Sequence, residues 1–359
     1  MPIESTAIGT TLDSTAGRGR YRALVGRRQL ILAGFAAALL LSLCVDLAVG
    51  PARYGLGEVV QALVLPDTVP QQVRVVLWEI RMPVALMAVV VGAALAVAGA
   101  QMQTILNNPL ASPFTLGISA AASFGAALAL AFGVRLIPAA VEYVVPINAF
   151  VMAMLAAFLI HMLSVKRGVS VETIVLLGIA LVFTFNALLA LVQFFASAEA
   201  LAAVVFWTMG SLTKATWPKL AVTTFIVLAV LPIFARRAWA LTALRLGEDK
   251  AASFGVKVGR LRLETLILVS LVAAIPVAFV GTIGFIGLVG PHIARMVIGE
   301  DQRFFLPASA LAGALILSVS SVVSKSLIPG TVFPIGVVTS LIGIPFFISL
   351  ILSSTRRSW

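Results

Sequence analysis

The sequence contains few charged residues and many apolar ones. Asp, Glu, Lys and Arg make up 11% of its 359 positions, whereas 61% are hydrophobic. A soluble globular domain carries about a quarter charged residues, so this composition excludes that class. The apolar residues form continuous runs, unlike the short alternating segments of a transmembrane β-barrel. We therefore expect an all-α integral membrane protein, in which each crossing needs about 20 apolar residues.

Groups that carry redox, metal or nucleotide chemistry are also scarce. The one cysteine, Cys44, lies inside an apolar run and cannot form a disulfide within the chain. The sequence has no Cys-x-x-Cys, haem-attachment or zinc-cluster spacing. It also lacks the glycine-rich Walker A loop of nucleotide hydrolases. We therefore expect no catalytic residue, no metal site and no cofactor in this chain.

Ionisable side chains are nearly missing from the apolar runs. Ion-driven carriers usually hold such groups near the bilayer midplane, where they bind the coupling ion. Here Asp46 and Glu264 lie at the ends of runs. His161 and His292 are interpreted as hydrogen-bonded histidines near the membrane interface rather than as a proton relay. An ion gradient is therefore not expected to supply energy through this chain.

Ten apolar runs are candidate membrane spans. The first follows a basic region, but it is longer than the core of a signal peptide, so we expect it to be retained. The run at 284–298 is the shortest. The ten runs lie at 30–49, 83–105, 114–134, 146–165, 174–195, 218–235, 263–283, 284–298, 304–327 and 334–353.

Charges at the ends of these runs predict the topology. If the basic N-terminus is cytoplasmic, 18 of the 25 Lys and Arg fall on the cytoplasmic side, as the positive-inside rule requires. The net charge of +11 then reflects membrane orientation rather than nucleic-acid binding. We expect residues 1–28 to form a basic, partly disordered cytoplasmic tail, with residues 1–20 the disordered part. Residues 29–355 form one transmembrane domain, and both termini are cytoplasmic.

One polar segment, RLGEDKAASFGVKVGR at 245–260, interrupts the apolar sequence between the sixth and seventh runs. We call it the island. Glu248 and Asp249 suit the first turn of a helix, where acids face the positive end of its dipole. Gly255 stands where a left-handed C-cap would fall. A solvated loop with a local helix and a helix that docks on another protein both remain open.

Four ordered blocks of the sequence resemble the FecCD family, the permease subunits of type II ABC importers for ferric siderophores, haem and cobalamin. The resemblance covers about residue 75 to residue 353. The blocks are EIRMPVALMAVVVGAALAVAGAQMQTILNNPLASPFTLGIS (79–119), LGEDKAASFGV (246–256), GFIGLVGPHIARMVIGEDQRFFLPASALAGA (284–314) and FPIGVVTSLIGIPFFI (333–348).

The resemblance implies a function and a set of partners. The chain would be the permease subunit of an ATP-driven importer in the bacterial cytoplasmic (inner) membrane. It would pair with a second, identical or paralogous permease subunit and with an ABC ATPase dimer that holds ATP and Mg²⁺. A substrate-binding protein outside the cell would deliver the cargo, expected to be an iron–siderophore complex, with haem or cobalamin as alternatives.

The resemblance also implies roles for particular residues. The segment 244–260 would form short cytoplasmic coupling helices that contact the ATPase. The matching residues are Gly247, Glu248, Ala251, Phe254 and Gly255.

Two further sets of residues follow from the same resemblance. NNPLASP (107–113) would narrow the cytoplasmic exit, so Asn108 and Leu110 are gate candidates, with Val171 in GVSVET (168–173) a further one. An ordinary tight turn is the alternative for these loops. Arg81, Lys325 and Arg74 would receive acidic side chains of the binding protein. Arg81 could instead anchor the helix at the membrane interface.

Two other classes of function remain open on the sequence. A secondary transporter of a small organic solute, driven by an ion gradient, would need an intramembrane acid whose neutralisation abolishes transport. A structural or receptor membrane protein would tolerate a scrambled island.

Overall fold

The computed structural model describes residues 14–50, 54–167, 170–328 and 330–354, and all regular structure in these ranges is helical. A 3₁₀ turn at Pro66–Thr68 and a π-helical segment at Val76–Arg81 precede α4. The α-helices are α1 (Ser14–Ala48), α2 (Leu56–Val64), α3 (Gln71–Val75), α4 (Met82–Ile105), α5 (Ile118–Phe132), α6 (Val141–Arg167), α7 (Val171–Phe195), α8 (Ala198–Thr208), α9 (Trp217–Arg236), α10 (Ala238–Leu244), α11 (Glu248–Ser253), α12 (Val258–Val280), α13 (Ile286–Ile298), α14 (Gln302–Ser326) and α15 (Ile335–Ser354).

Each of the ten predicted runs contains a helix. Seven helical segments are long and apolar enough to cross a membrane, which supports a multi-pass membrane protein. The other three predicted runs form the shorter apolar helices α5, α13 and α15. The helix α8 lies between the predicted runs at 174–195 and 218–235. Its 11 residues are too few for a crossing. The count of ten spans stays a prediction.

The first helix differs from the prediction. It begins at Ser14 and continues unbroken to Ala48, so residues 14–28 belong to a helix rather than to a tail. At about 1.5 Å per residue its 35 residues reach about 52 Å, well beyond a hydrocarbon core of about 30 Å. Extending an existing helix adds one hydrogen bond per residue, so the basic residues continue the helix that the apolar run forms. Residues 1–13 and the C-terminal Arg356 and Arg357 lie outside the described residues.

The central helix of the bundle is α4. Twenty of its 24 residues are buried, and it packs against α12, α13 and α14. Its glycines allow backbone to touch backbone: a Cβ at Gly99 would collide with the carbonyl oxygen of Gly287 on α13. One at Gly92 would collide with that of Gly313 on α14. Small residues at helix contacts permit this close approach in a membrane.

Three breaks between helices meet on one side of the bundle, and we call the set the junction (208–212, 280–285 and 334–336). Backbone groups freed by one break are satisfied by another. Ser211 N donates to Val280 O at 2.7 Å, and Gly336 N donates to Met209 O at 2.9 Å. Non-helical backbone survives at membrane depth where protein covers it in this way. The predicted run at 284–298 therefore starts its helix only at Ile286.

Candidate functional site

The island contains one short helix, α11, and a second short helix, α10, directly precedes it after α9. Gly247 and Gly255 flank α11 with φ of 108° and 82°, in the left-handed region that favours glycine. Between them, Ala251 is fully buried and so packs inside this chain, whereas Phe254 is 54% exposed beside Trp239. The predicted helix is therefore present, and Phe254 at its end forms an exposed aromatic pair with Trp239 of α10.

A buried arginine at the start of α12 joins α11 to the end of α4. The Arg262 side chain is 2% exposed. It donates to Glu248 Oε1 at 2.6 Å and, through Nε, to the carbonyl oxygen of Ile105 at 3.0 Å. The last carbonyls of a helix lack partners within it, and a cation there suits the helix dipole. Arg262 thus holds one turn each of α11, α12 and α4 together.

A second set of charges joins the island to the segment that follows α4. Arg245, which caps α10, forms an ion pair with Glu300 and donates to Asn107 Oδ1 at 2.8 Å. Glu300 also pairs with Arg295 of α13 at 3.0 Å, and Arg295 donates to Gln103 Oε1 at 2.8 Å. The island is therefore tied to the end of α4 from two sides. We call this side of the bundle the island end.

The predicted gate residues lie in the segment held by these contacts. Asn108 Oδ1 accepts a hydrogen bond from Leu110 N at 2.9 Å, which forms a tight turn around Pro109. Leu110 is 57% exposed, so its side chain is free of the core. Val171 begins α7 and packs against the main hydrophobic core instead. Gly168 and Val169 of the predicted second constriction lie outside the described residues.

A cavity of about 570 Å³ opens beside this segment. Residues 112–115 form one wall, and the junction and the start of α13 form others. Its lining is apolar apart from six hydroxyl side chains, and none of the described residues that line it is charged. The hydroxyl residues are Ser112, Thr115, Ser119, Thr208, Thr282 and Ser340.

The predicted docking residues lie at the opposite end of the bundle, and two of the three are engaged within the chain. Arg81 is 6% exposed, donates to Leu47 O at 2.7 Å and Ala48 O at 3.0 Å, and stacks over Tyr54. Lys325 pairs with the fully buried Asp46 at 2.9 Å.

The third docking residue, Arg74, is the accessible one. Its side chain is 52% exposed, and its 2.7 Å partner, Asp67, is 85% exposed. Of the three residues, Arg74 is therefore best placed to meet another protein, while the roles of all three stay predictions.

Contacts at the island end also anchor the first helix. Asp301 pairs with Arg28 of α1 at 3.3 Å and with Arg303 at 2.7 Å. The hydrogen bond from Arg303 lowers the pKa of Asp301 below its ordinary value, with a smaller contribution from Arg28. The carboxylate is thus charged at neutral pH and holds α1 against the turn before α14.

One of the two histidines differs from its interpretation. His161 Nδ1 is buried and has no hydrogen-bond partner among the described residues, so the interpretation of a hydrogen-bonded histidine is wrong for that nitrogen. His292 packs edge-on against Phe346 with ring centroids 5.8 Å apart.

Sequence reasoning missed the residues that connect these parts. Arg262 and Arg245 were counted only as topology charges, and Glu300 was given no role. A signal existed for Arg262, because it stands where an apolar run begins and a buried arginine there requires acceptors. Nothing local indicates that Asp46 meets Lys325, 279 residues away.

Comparison with known proteins agrees with this architecture. A Methanocaldococcus jannaschii protein assigned as an ABC transporter permease is 39% identical over 326 residues, 89% of this chain and 93% of that protein. The hemin transport system permease protein HmuU of Yersinia pestis is 36% identical, over 78% of this chain and 84% of its own.

A solved structure and a family model point the same way. An inward-facing structure of an ABC transporter assigned to the metal-chelate type aligns with a TM-score of 0.80 and 31% identity, over 90% of this chain and 99% of that one. The model of the FecCD transport family matches residues 38–353. The resemblance of the four blocks is thereby confirmed. The chain belongs to the FecCD transport family and is a permease subunit, not an enzyme, of an ABC transporter whose ATPase is a separate subunit.

Proposed function

We propose that this permease imports an iron–siderophore complex, handed over by a substrate-binding protein, into the cytoplasm with energy from ATP. One observation carries the proposal. Arg262 joins α11 to Ile105 at the end of α4, and Arg245 joins the start of the island to Asn107. The segment 107–115 begins there, and its residues 112–115 wall the uncharged cavity. A force that the ATPase applies to α11 is thus transmitted to the cavity, which we propose holds the cargo.

The chemistry of the cavity favours a chelate over a bare ion. A bare transition-metal ion is usually bound by carboxylate, imidazole or thiolate ligands, and the described lining offers only hydroxyls, backbone groups and apolar side chains. Within the described residues no cluster of three or more His, Cys, Asp or Glu occurs. A chelated metal arrives with its ligands already in place and presents an organic surface. The hemin permease relative fits this class of cargo, so haem is the second candidate and cobalamin the third.

The exposed side of the island supplies the surface for an ATPase. Phe254 and Trp239 are 54% and 65% exposed, and Leu246 is 58% exposed, on a segment rich in charge. Aromatic knobs that fill a partner's pocket dominate binding energy at interfaces. We therefore assign α11 as the coupling helix, with Gly247 and Gly255 shaping its ends. This assignment puts the island end in the cytoplasm.

At the opposite end, Arg74 offers the exposed charge expected of a docking site for the binding protein. Exposed ion pairs contribute about 0–1 kcal/mol each, so such a contact would set orientation and association rate more than affinity. Arg81 already donates to a carbonyl of α1, and Lys325 already pairs with Asp46. We propose that these two residues support the docking surface from inside the chain.

The gradient-driven alternative requires an acid free to bind an ion. Asp46 is fully buried and paired with Lys325 and Ser321, whose Oγ donates to Oδ2 at 3.1 Å. A carboxylate held by a cation and a hydroxyl is suited to fastening α1 to α14.

The test is uptake of a ferric siderophore by proteoliposomes that contain the permease with its ATPase, with ATP in the lumen and binding protein outside. We expect uptake to require ATP and to survive an ionophore that collapses ion gradients. Phe254→Glu should abolish co-purification of the ATPase and uptake together. Phe194→Ala, which alters an 80% exposed aromatic on α7, is the control. Uptake that persists without ATP, or an ATPase that still binds the Phe254→Glu variant, would overturn the proposal.

A further inference from the structure

We propose that Arg262 is a positioning residue that makes α11, the first turn of α12 and the last turn of α4 move as one body. The inference rests on the proposed function, because it concerns how motion of the island reaches the cavity. Glu248 then acts inward, as the acid that ties α11 to Arg262, rather than as a contact with the ATPase.

The first support is the asymmetry of burial within the pair. The Arg262 side chain is 2% exposed, whereas that of Glu248 is 56% exposed. A guanidinium taken out of water must keep its partners, because an unpaired buried charge is strongly unfavourable. Arg262 is therefore committed to this place, and Glu248 is the partner that can enter or leave.

The second support is the choice of acceptor on α4. Arg262 Nε donates to the carbonyl oxygen of Ile105, the last residue of that helix. The chain then turns sharply: Asn107 has a φ of +43°, and its side chain accepts from Arg245. A displacement of Arg262 thus acts at the point where α4 ends and the segment leading to Leu110 begins.

The third support is the path from there to the cavity. Ser112 and Thr115 are linked by reciprocal hydrogen bonds, Ser112 N to Thr115 Oγ1 at 3.1 Å and Thr115 Oγ1 to Ser112 O at 2.8 Å. Both line the cavity. These hydrogen bonds restrict the segment 107–115. A movement at Asn107 is therefore transmitted to the cavity wall rather than lost in a flexible loop.

The experiment separates transmission from binding. Arg262→Gln is compared with Arg260→Gln, which removes the same charge two residues earlier from a side chain that is 74% exposed and pairs with Glu264. The reconstituted complex is assayed for ATPase co-purification, ATP hydrolysis and ferric-siderophore uptake. We expect Arg262→Gln to keep the ATPase and its hydrolysis but to move about tenfold less cargo per ATP, within the range of coupling energies that single residues modulate. Arg260→Gln should match the wild type.

Two further variants make the result specific. Glu248→Gln should lower cargo per ATP in the same direction as Arg262→Gln, and the double variant should be no worse than Arg262→Gln alone, because that change already breaks the link to Glu248. Arg262→Lys keeps the charge but has one donor nitrogen in place of several. It should therefore move more cargo per ATP than Arg262→Gln and less than the wild type. If Arg262→Gln fails to fold, Glu248→Gln carries the decision, since its side chain is half exposed.

A direct readout of movement labels a cysteine introduced into the segment 107–115 after the single native cysteine has been removed. In a Cys44→Ala background, Leu110→Cys is labelled with a maleimide in the presence and absence of ATP. We expect the labelling rate to change with ATP, and to stop changing when Arg262→Gln is added.

Several outcomes would overturn the inference. One is unchanged cargo per ATP and unchanged labelling in Arg262→Gln and Glu248→Gln. Another is a Glu248→Gln variant that loses the ATPase while Arg262→Gln keeps it, since Glu248 would then face the partner. Lack of ATP-driven uptake by the wild type would instead remove the proposed function, and the inference with it.

Discussion

The two ends of α4 are held by the same device, an arginine that donates to helix carbonyls, but the acids beside them differ in exposure. At the opposite end, Arg81 holds the last carbonyls of α1, and the neighbouring Asp46 is fully buried against Lys325. At the island end, Arg262 holds the last carbonyl of α4, and Glu248 is 56% exposed.

That difference makes the pair at the opposite end the more costly one to break. The side chains of Asp46 and Lys325 are 0% and 9% exposed, so parting them leaves two poorly compensated charges. Glu248 can exchange its partner for solvent at lower cost, while Arg262 keeps its hydrogen bond to Ile105 O. We infer that the opposite end keeps α1 and α14 together throughout the transport cycle, while the island end moves as one body around Arg262. The following predictions test this contrast.

Breaking the buried pair should have the largest effect. Lys325→Met removes the cation that pairs with the buried Asp46, and we expect the free energy of unfolding to fall by about 3–5 kcal/mol. Replacing both residues, as Asp46→Leu with Lys325→Met, should restore most of that loss, because neither charge of the pair is left without the other. Reversible unfolding in mixed detergent measures both. A single variant as stable as the wild type would contradict the contrast.

Disturbing the contact between α13 and the middle of α4 should have the second largest effect on stability, because α4 joins the two ends of the bundle. Gly99→Ala adds a methyl group that collides with the Gly287 carbonyl, and overpacking of this kind costs about 1–3 kcal/mol. Gly34→Ala in α1 adds the same group where no atom lies within 4 Å, so it should be neutral or slightly stabilising. Thermal melting of the two variants makes the comparison. Equal melting temperatures would show that α4 tolerates separation from α13.

The charges of the island end should give a smaller effect that depends on salt. Glu300→Gln weakens the pairs with Arg245 and Arg295, and because the Glu300 side chain is 39% exposed we expect a loss of about 1 kcal/mol. High salt screens exposed pairs more than buried ones, so this loss should shrink at 1 M salt. The loss caused by Lys325→Met should persist there. The melting temperatures of both variants at low and high salt test this difference.

Acid should release α1 from the island end without disturbing the opposite end. The pKa of Asp301 is lowered in the folded chain, chiefly by Arg303. Its stabilising effect is therefore present above the ordinary value of 3.8 and lost as pH falls through the depressed value. We expect no change from this group between neutral pH and about pH 5. Asp301→Asn should remove the acid-dependent step in melting temperature below that range, and an unchanged step would assign it elsewhere.

The exposed pair at the opposite end should matter least for stability. Arg74→Ala removes a partner of Asp67 that is already in water, and we expect a change of at most about 1 kcal/mol in the free energy of unfolding. If Arg74 meets the binding protein, the same variant should slow association at low salt more than at high salt. Surface plasmon resonance with the reconstituted complex measures the rate. A large loss of stability would mean that Arg74 has a structural role.

Local features of the sequence predicted most of the helices and the island. Long apolar runs become helices because the bilayer leaves the backbone few other ways to satisfy its polar groups. The acids and glycines around α11 fit a short capped helix, and the helix is present between Gly247 and Gly255. These outcomes depend on residues close in the chain, so the sequence alone indicated them.

The contacts that connect the parts could not be predicted in this way. Arg262 reaches Ile105 across 157 residues, and Asp46 reaches Lys325 across 279. The break before α13 depends on Phe285 with a φ of +67°, a conformation that the rest of the junction must support. Such features follow from packing, which a single sequence without its relatives does not display.

The glycines along α4 suggest how such a tightly packed bundle moves. Gly92 and Gly99 lie two turns apart and meet Gly313 and Gly287 backbone to backbone. At these two points no side chain separates the backbones, so α13 and α14 can slide along the middle of α4 by small steps while staying in contact. We expect α13 and α14 to make small shear movements along the middle of α4, while arginines hold the two ends of that helix.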